Sequence, residues 1–170
     1  IPSQHMATRD VELVVVGIAQ DGGVPQAGCV CERCVIALKD ETKRLYPVSC
    51  VIRGSDGSVH LVEATRSLSQ QLGIAASALG IGASLVPDSI CLTHAHLGHI
   101  DGIGQFGKEV MGLDGIPLFA SSSVIQVLEE RRLSAPFQTN AVSPESAFSP
   151  SEECGFELEF VRVPHRDEYS

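Results

Sequence analysis

The sequence predicts an α/β layered domain, and three observations carry that expectation. Residues 11–18 form a nearly continuous β-branched run, residues 48–63 read as a hairpin, and the segments that follow alternate between short apolar strands and helices. Hairpins first and strand–helix units afterwards fit a sheet layered against helices. With 170 residues and 44% hydrophobic content, the chain is large enough for one domain with a real core.

The run at 11–18 predicts a central strand buried on both faces. Residues 19–28, rich in Gly, Pro, Gln and Asp, predict a loop. Segments 48–53 and 59–63 flank Gly54-Ser55-Asp56-Gly57, a turn between paired strands. A short helix is expected over 65–72, and the Gly/Ala/Ser-rich stretch 73–86 allows a second one ending near Gly80. Residues 89–92 and 116–120 read as strands, and Ser121-Ser122-Ser123 caps a helix over 124–132. The stretch 133–153 carries Pro, Ser and Asn and predicts an extended loop, followed by a last strand through Phe156, Leu158, Phe160 and Val163. Residues 1–5, ahead of Met6, read as a cloning remnant, leaving 6–170 as a single domain. Because the chain stops just after His165 with no closing element, it is expected to be truncated at its C-terminal end.

A formal charge of −9 argues against a nucleic-acid backbone or an anionic membrane as partner. The absence of Trp and the 5% aromatic content argue against a base-stacking platform. No apolar run approaches a membrane span and no signal segment opens the chain, so the expected location is cytoplasmic. The six cysteines are then expected to be reduced, with Cys29, Cys31 and Cys34 spaced as a structural zinc site. Cys50 and Cys91 lie in apolar runs and read as small core residues. The expected partner is a small-molecule substrate, with a homodimer as an open alternative.

The segment Leu92-Thr93-His94-Ala95-His96-Leu97-Gly98-His99-Ile100-Asp101-Gly102 carries the chemistry. Imidazole is the commonest ligand for divalent transition metals. His94 and His96 point to one side of an extended segment, and a helical turn returns His99 to the same place. A catalytic zinc site uses three protein ligands and an open position for water, whose pKa the metal lowers to about 7. His94, His96 and His165 can form such a triad, with His99 at a second metal. Zn2+ is the expected ion, with Mn2+ or Fe2+ as alternatives at the histidines. Asp101, two residues past His99, and Asp21, in the glycine-rich loop, are the candidate catalytic carboxylates. Each also has a plainer role, at a helix end or in a turn.

The chain resembles the metallo-β-lactamase-fold hydrolases, whose signature His-x-His-x-Asp-His is matched by His94, His96 and His99. Three further blocks are similar to the branch of pyrroloquinoline-quinone biosynthesis protein B and the phosphonate-pathway phosphodiesterase. They are Gly17-Ile18-Ala19-Gln20-Asp21-Gly22-Gly23-Val24-Pro25-Gln26, Cys29-Val30-Cys31-Glu32-Arg33-Cys34 and Val163-Pro164-His165-Arg166-Asp167-Glu168. The resemblance implies an αββα sandwich, here only its N-terminal portion, with His165 as the lone later histidine. It implies a supporting role for Glu63 behind the histidine loop, and a histidine beyond this chain as fourth ligand of the cysteine site. Gly98 departs from the pattern, standing where the family has a metal-binding aspartate. A bridging aspartate, a further histidine and the second αβ half of the family are likewise not among these residues.

The expected function is a metal-dependent hydrolase that uses metal-bound hydroxide on a phosphodiester or ester-type small substrate. The alternative is a non-hydrolytic metal-binding or accessory protein of cofactor biosynthesis, which Gly98 favours. A cysteine-zinc nucleic-acid module is disfavoured by the charge.

Overall fold

A computed structural model of the protein describes residues 9–165. The segment read as a cloning remnant, and residues 166–168 of the last motif block, lie outside the described residues. Among the described residues, eight strands and four α-helices follow in chain order: β1 (Glu12–Gly17), α1 (Glu32–Lys39), β2 (Ser49–Arg53), β3 (Val59–Val62), α2 (Leu68–Ala78) and β4 (Ser89–Cys91) come first. They are followed by α3 (Leu97–Ile100), β5 (Ile116–Ala120), α4 (Ser122–Glu130), β6 (Phe137–Ala141), β7 (Ala147–Phe148) and β8 (Leu158–Glu159). Strands β1 to β6 form one sheet in sequential order, antiparallel through β3 and parallel from there on, and β7 pairs with β8 separately.

Register sorts the side chains onto two faces. Val14, Val51, Leu61, Ile90 and Leu118 are successive partners across five strands and share one face. That face meets Leu68, Leu72, Ala75 and Ala76 of α2, Ile100 of α3, and Val124 and Leu128 of α4 in a single core. On the other face stand Leu13, Val15, Cys50, His60, Cys91 and Phe119. The β7–β8 hairpin covers part of it: Phe148 stacks on Phe119, and Phe156 meets the His60 ring edge-on. His60 is buried and held on both nitrogens, by Ser89 Oγ at 2.7 Å and Ser58 Oγ at 2.8 Å.

Several expectations change. The β-branched run at 11–18 is not a central strand; among the described residues β1 is an edge, paired only with β2. Leu13 and Val15 are 59% and 58% exposed while Val16 is buried. Val-rich sequence satisfies a half-covered antiparallel edge as well as a buried strand, so composition alone does not decide between them. The two short helices expected over 65–86 are one, α2, which runs through Gly73. Its apolar residues Leu68, Leu72, Ala75 and Ala76 recur at helical spacing, and their burial outweighs the ~1 kcal/mol penalty of an interior glycine. It ends where expected: Gly80 has φ +65°, and Ile81 N–H reaches back to Ala76 O at 2.9 Å. The stretch 133–153 contains β6, which is polar at Gln138 and Asn140 and takes its order from the parallel ladder with β5. The last strand is only Leu158–Glu159. The hairpin at 48–63, β5, and the Ser121 cap, whose Oγ accepts from Val124 N–H at 3.3 Å, stand as read. No helix among the described residues is long and apolar enough to cross a membrane.

Candidate metal centre

The site opens just past the C-terminal end of β4, where parallel strands leave a crevice between loops. Beyond β4 the chain stays extended, so Ala95 is buried at 1% exposure while His94 and His96 on either side remain partly open. His96 caps α3 with extended backbone, φ −66° and ψ 148°, and the single turn returns His99, whose N–H bonds His96 O at 3.0 Å. The His94 and His99 rings lie 4.0 Å apart between centroids. His165 arrives from a segment 69 residues away and places Nε2 3.0 Å from His96 Nδ1. Ring centroids among His94, His96 and His165 are 4.7 to 4.9 Å apart. These four histidines face a cavity of about 570 Å³, with Gln20, Asp21, Gly22 and Gln26 on its other side.

Polar contacts behind the rings set which nitrogen faces the cavity. Thr93 donates its hydroxyl to Glu63 Oε1, which also accepts Thr93 N–H at 3.2 Å. The Thr93 oxygen is then left to accept from His94 Nδ1 at 2.8 Å, which puts the His94 lone pair on Nε2. Glu63 Oε2 faces His99 Nδ1 at 3.5 Å, so His99 presents Nε2 to Asp21 Oδ1, 3.7 Å away. Glu63 is 2% exposed and has φ +66°, a left-handed backbone that costs an L residue roughly 1–3 kcal/mol and points to a constraint from its surroundings. The supporting role expected of Glu63 matches this geometry. In Glu63→Gln an amide replaces the acceptor facing His99, and metal affinity at the histidines is expected to fall about 10–100-fold. A competition titration against a chelator measures it, and unchanged affinity would leave Glu63 with a folding role only.

Protonation favours ligation at His94. Burial, reinforced by the neighbouring His99, His96 and His165, pushes His94 down to about 4, so it is neutral at pH 7. Burial acts the same way on His99, but the Glu63 carboxylate and then Asp21 and Asp101 outweigh it and raise the group. Partial burial pushes Asp21 up, yet the Gly98 N–H and the His99 and His96 rings hold it below the ordinary carboxylate range.

Donor atoms of His94, His96 and His165 lie within 4.8 Å of one another, as do those of Glu63, His94 and His99. Three imidazoles on an open cavity fit a divalent transition ion with room for further ligands. Cys29, Cys31 and Cys34 likewise converge within 4.8 Å. Cys31 caps α1, and the backbone N–H of Cys34, with the Cys29 and Cys34 thiols, lowers its pKa, which favours the thiolate a metal needs. Of the two candidate carboxylates, Asp21 is at the cavity. Asp101 is not brought there: its Oδ2 is tied to Arg66 Nε at 2.8 Å. Gln20 and Gln26 line the cavity without having been singled out, since a glutamine in a glycine-rich loop carries no spacing signal.

The chain matches no protein-family model and no curated protein sequence. Solved structures do match. Zn2+-bound PqqB from Methylobacterium extorquens superposes with a TM-score of 0.71 at 18% identity, over 89% of this chain and 56% of that one. A diphosphatase of the PhnP family gives 0.59 at 25% identity over 82% and 52%. The metallo-β-lactamase fold protein YhfI from Bacillus subtilis gives 0.59 at 19% over 93% and 55%. The fold is therefore the metallo-β-lactamase fold, and the similar structures include both branches to which the sequence motifs point. The chain spans little more than half the length of each.

Proposed function

We propose that the protein is a metal-dependent hydrolase acting on a phosphodiester or ester-type small substrate, with His94, His96 and His165 holding a zinc ion. One observation carries the reading: residues 69 positions apart bring His165 Nε2 and His96 Nδ1 to 3.0 Å at the mouth of a cavity that His94 also faces. A bound divalent ion supplies polarisation of a substrate oxygen and a water acidic enough to react near neutral pH. The chain's own residues supply the rest. Thr93 and Glu63 lock the His94 and His99 rings, and the Gln20 and Gln26 amides offer neutral hydrogen bonds to a polar substrate. The similarity to a PhnP-family diphosphatase supports a phosphate-bearing substrate.

Protein stripped of metal is expected to lose hydrolysis of an activated phosphodiester and to regain it on reloading with Zn2+ or Mn2+. Gly98, which has no donor atom, favours the second reading, a metal-binding accessory protein of cofactor biosynthesis. Tight metal binding without turnover across a phosphodiester and ester screen would select that reading.

A further inference from the structure

A side chain at position 98 would have nowhere to go, because Asp21 is already there. A Cβ built on Gly98 falls 2.4 Å from Asp21 Cα and 2.7 Å from both its Cβ and Cγ. The carboxylate that comes with that backbone is aimed at the histidines. Asp21 Oδ2 accepts the Gly98 N–H at 3.1 Å, and Oδ1 stands 3.7 Å from His99 Nε2. We propose that Asp21 replaces the carboxylate that Gly98 cannot supply, so that Asp21 and His99 hold a second cation beside the one at His94, His96 and His165. The inference rests on the preceding reading that these histidines bind metal.

Geometry and chemistry agree. Two donors bound at about 2.0–2.2 Å to one ion, at near-tetrahedral angles, lie roughly 3.3–3.6 Å apart, close to the observed separation. His99 turns Nδ1 toward Glu63, 3.5 Å away, which leaves Nε2 as the nitrogen that faces Asp21. Asp21 is also held in place. The Gly23 N–H closes a turn onto Gln20 O at 2.8 Å, and Val24 and Leu45 exchange backbone hydrogen bonds at 2.8 Å each. The loop enters where a side chain at 98 would stand, and only a glycine there admits it. An anionic ligand among the imidazoles also offsets the charge of a second divalent ion.

Asp21→Asn separates ligation from packing, because the amide oxygen still accepts the Gly98 N–H while the anionic donor is lost. Full-length wild-type and variant protein are loaded with Mn2+ and examined by elemental analysis, by electron paramagnetic resonance for a coupled ion pair, and by anomalous scattering from crystals. The expected result is two ions among the wild-type histidines. In Asp21→Asn the ion beside His99 is lost, with affinity reduced at least about 100-fold, and the other ion stays. Asp21→Glu, which keeps the charge, is expected to recover part of the binding. Two ions retained in Asp21→Asn would overturn the proposal and place the second ion at Glu63, His94 and His99. A single wild-type ion, at His94, His96 and His165, would overturn it while sparing the hydrolase reading. No ion among the histidines would remove both.

Discussion

His96→Ala is expected to reduce metal affinity at the histidine site by more than about 100-fold, and metal-dependent hydrolysis with it. Loss of a group that merely orients a ligand already costs about 10–100-fold, and His96 would be a ligand itself. Its place explains the size of the effect. The ring sits at the start of α3, opposed by His165 at 3.0 Å, and two positions from His94 with the buried Ala95 between them. Removing it leaves two donors of the triad, His94 and His165. The fold is expected to survive, because the His96 ring lies at the cavity surface, outside the buried core. Chelator-competition titration and turnover of an activated phosphodiester, with circular dichroism as a fold control, measure the outcome. Turnover equal to wild type would end the hydrolase reading.

What could be read in advance follows from how far apart the cooperating residues are. The histidine cluster is local: three rings within six positions converge by strand alternation and one helical turn, both of which spacing encodes. The hairpin at 48–63 was legible for the same reason, its turn chemistry lying between its own strands. Helix α2 was only half legible, since an interior glycine speaks against it and only the core contacts of Leu68 to Ala76 override that. Strand β6 was hidden because its order comes from β5, not from its own polar residues. His165 is tied to the cluster in the sequence only by its residue type and by a family resemblance, because nothing in the 68 intervening residues encodes the approach. The approach of Asp21 to Gly98, across 77 positions, has no sequence signature in a single chain. Read alone, Gly98 looks like a lost ligand; in the fold it is the opening through which another carboxylate enters.

Gly98→Asp, which rewrites the segment as His-x-His-x-Asp-His, is therefore expected to weaken the protein. The new Cβ would meet Asp21 Cα at 2.4 Å, and since that atom belongs to the backbone, no rotamer change relieves the overlap. The loop at residues 19–28 is anchored through Val24 and Leu45 at its middle, and Ile18 and Ala19 N–H both bond Tyr46 O at its start. Relief requires the loop to break these contacts or α3 to move away from the core that holds Ile100. Overpacking of this kind costs typically about 1–3 kcal/mol, and contact with backbone places the variant at the upper end. For a chain of this size that corresponds to a fall in Tm of roughly 6–12 °C. Gly98→Ala carries the same Cβ without the charge and should lose nearly as much, which separates steric overlap from carboxylate repulsion. Asp21→Gly in the Gly98→Asp background removes the contacts to Asp21 Cβ and Cγ but not the one to Cα, so only part of the stability should return. Thermal unfolding and metal content of the three variants test the series. A Gly98→Asp protein as stable as wild type, and richer in bound metal, would show that the loop yields at little cost and that Asp21 does not exclude a side chain at position 98.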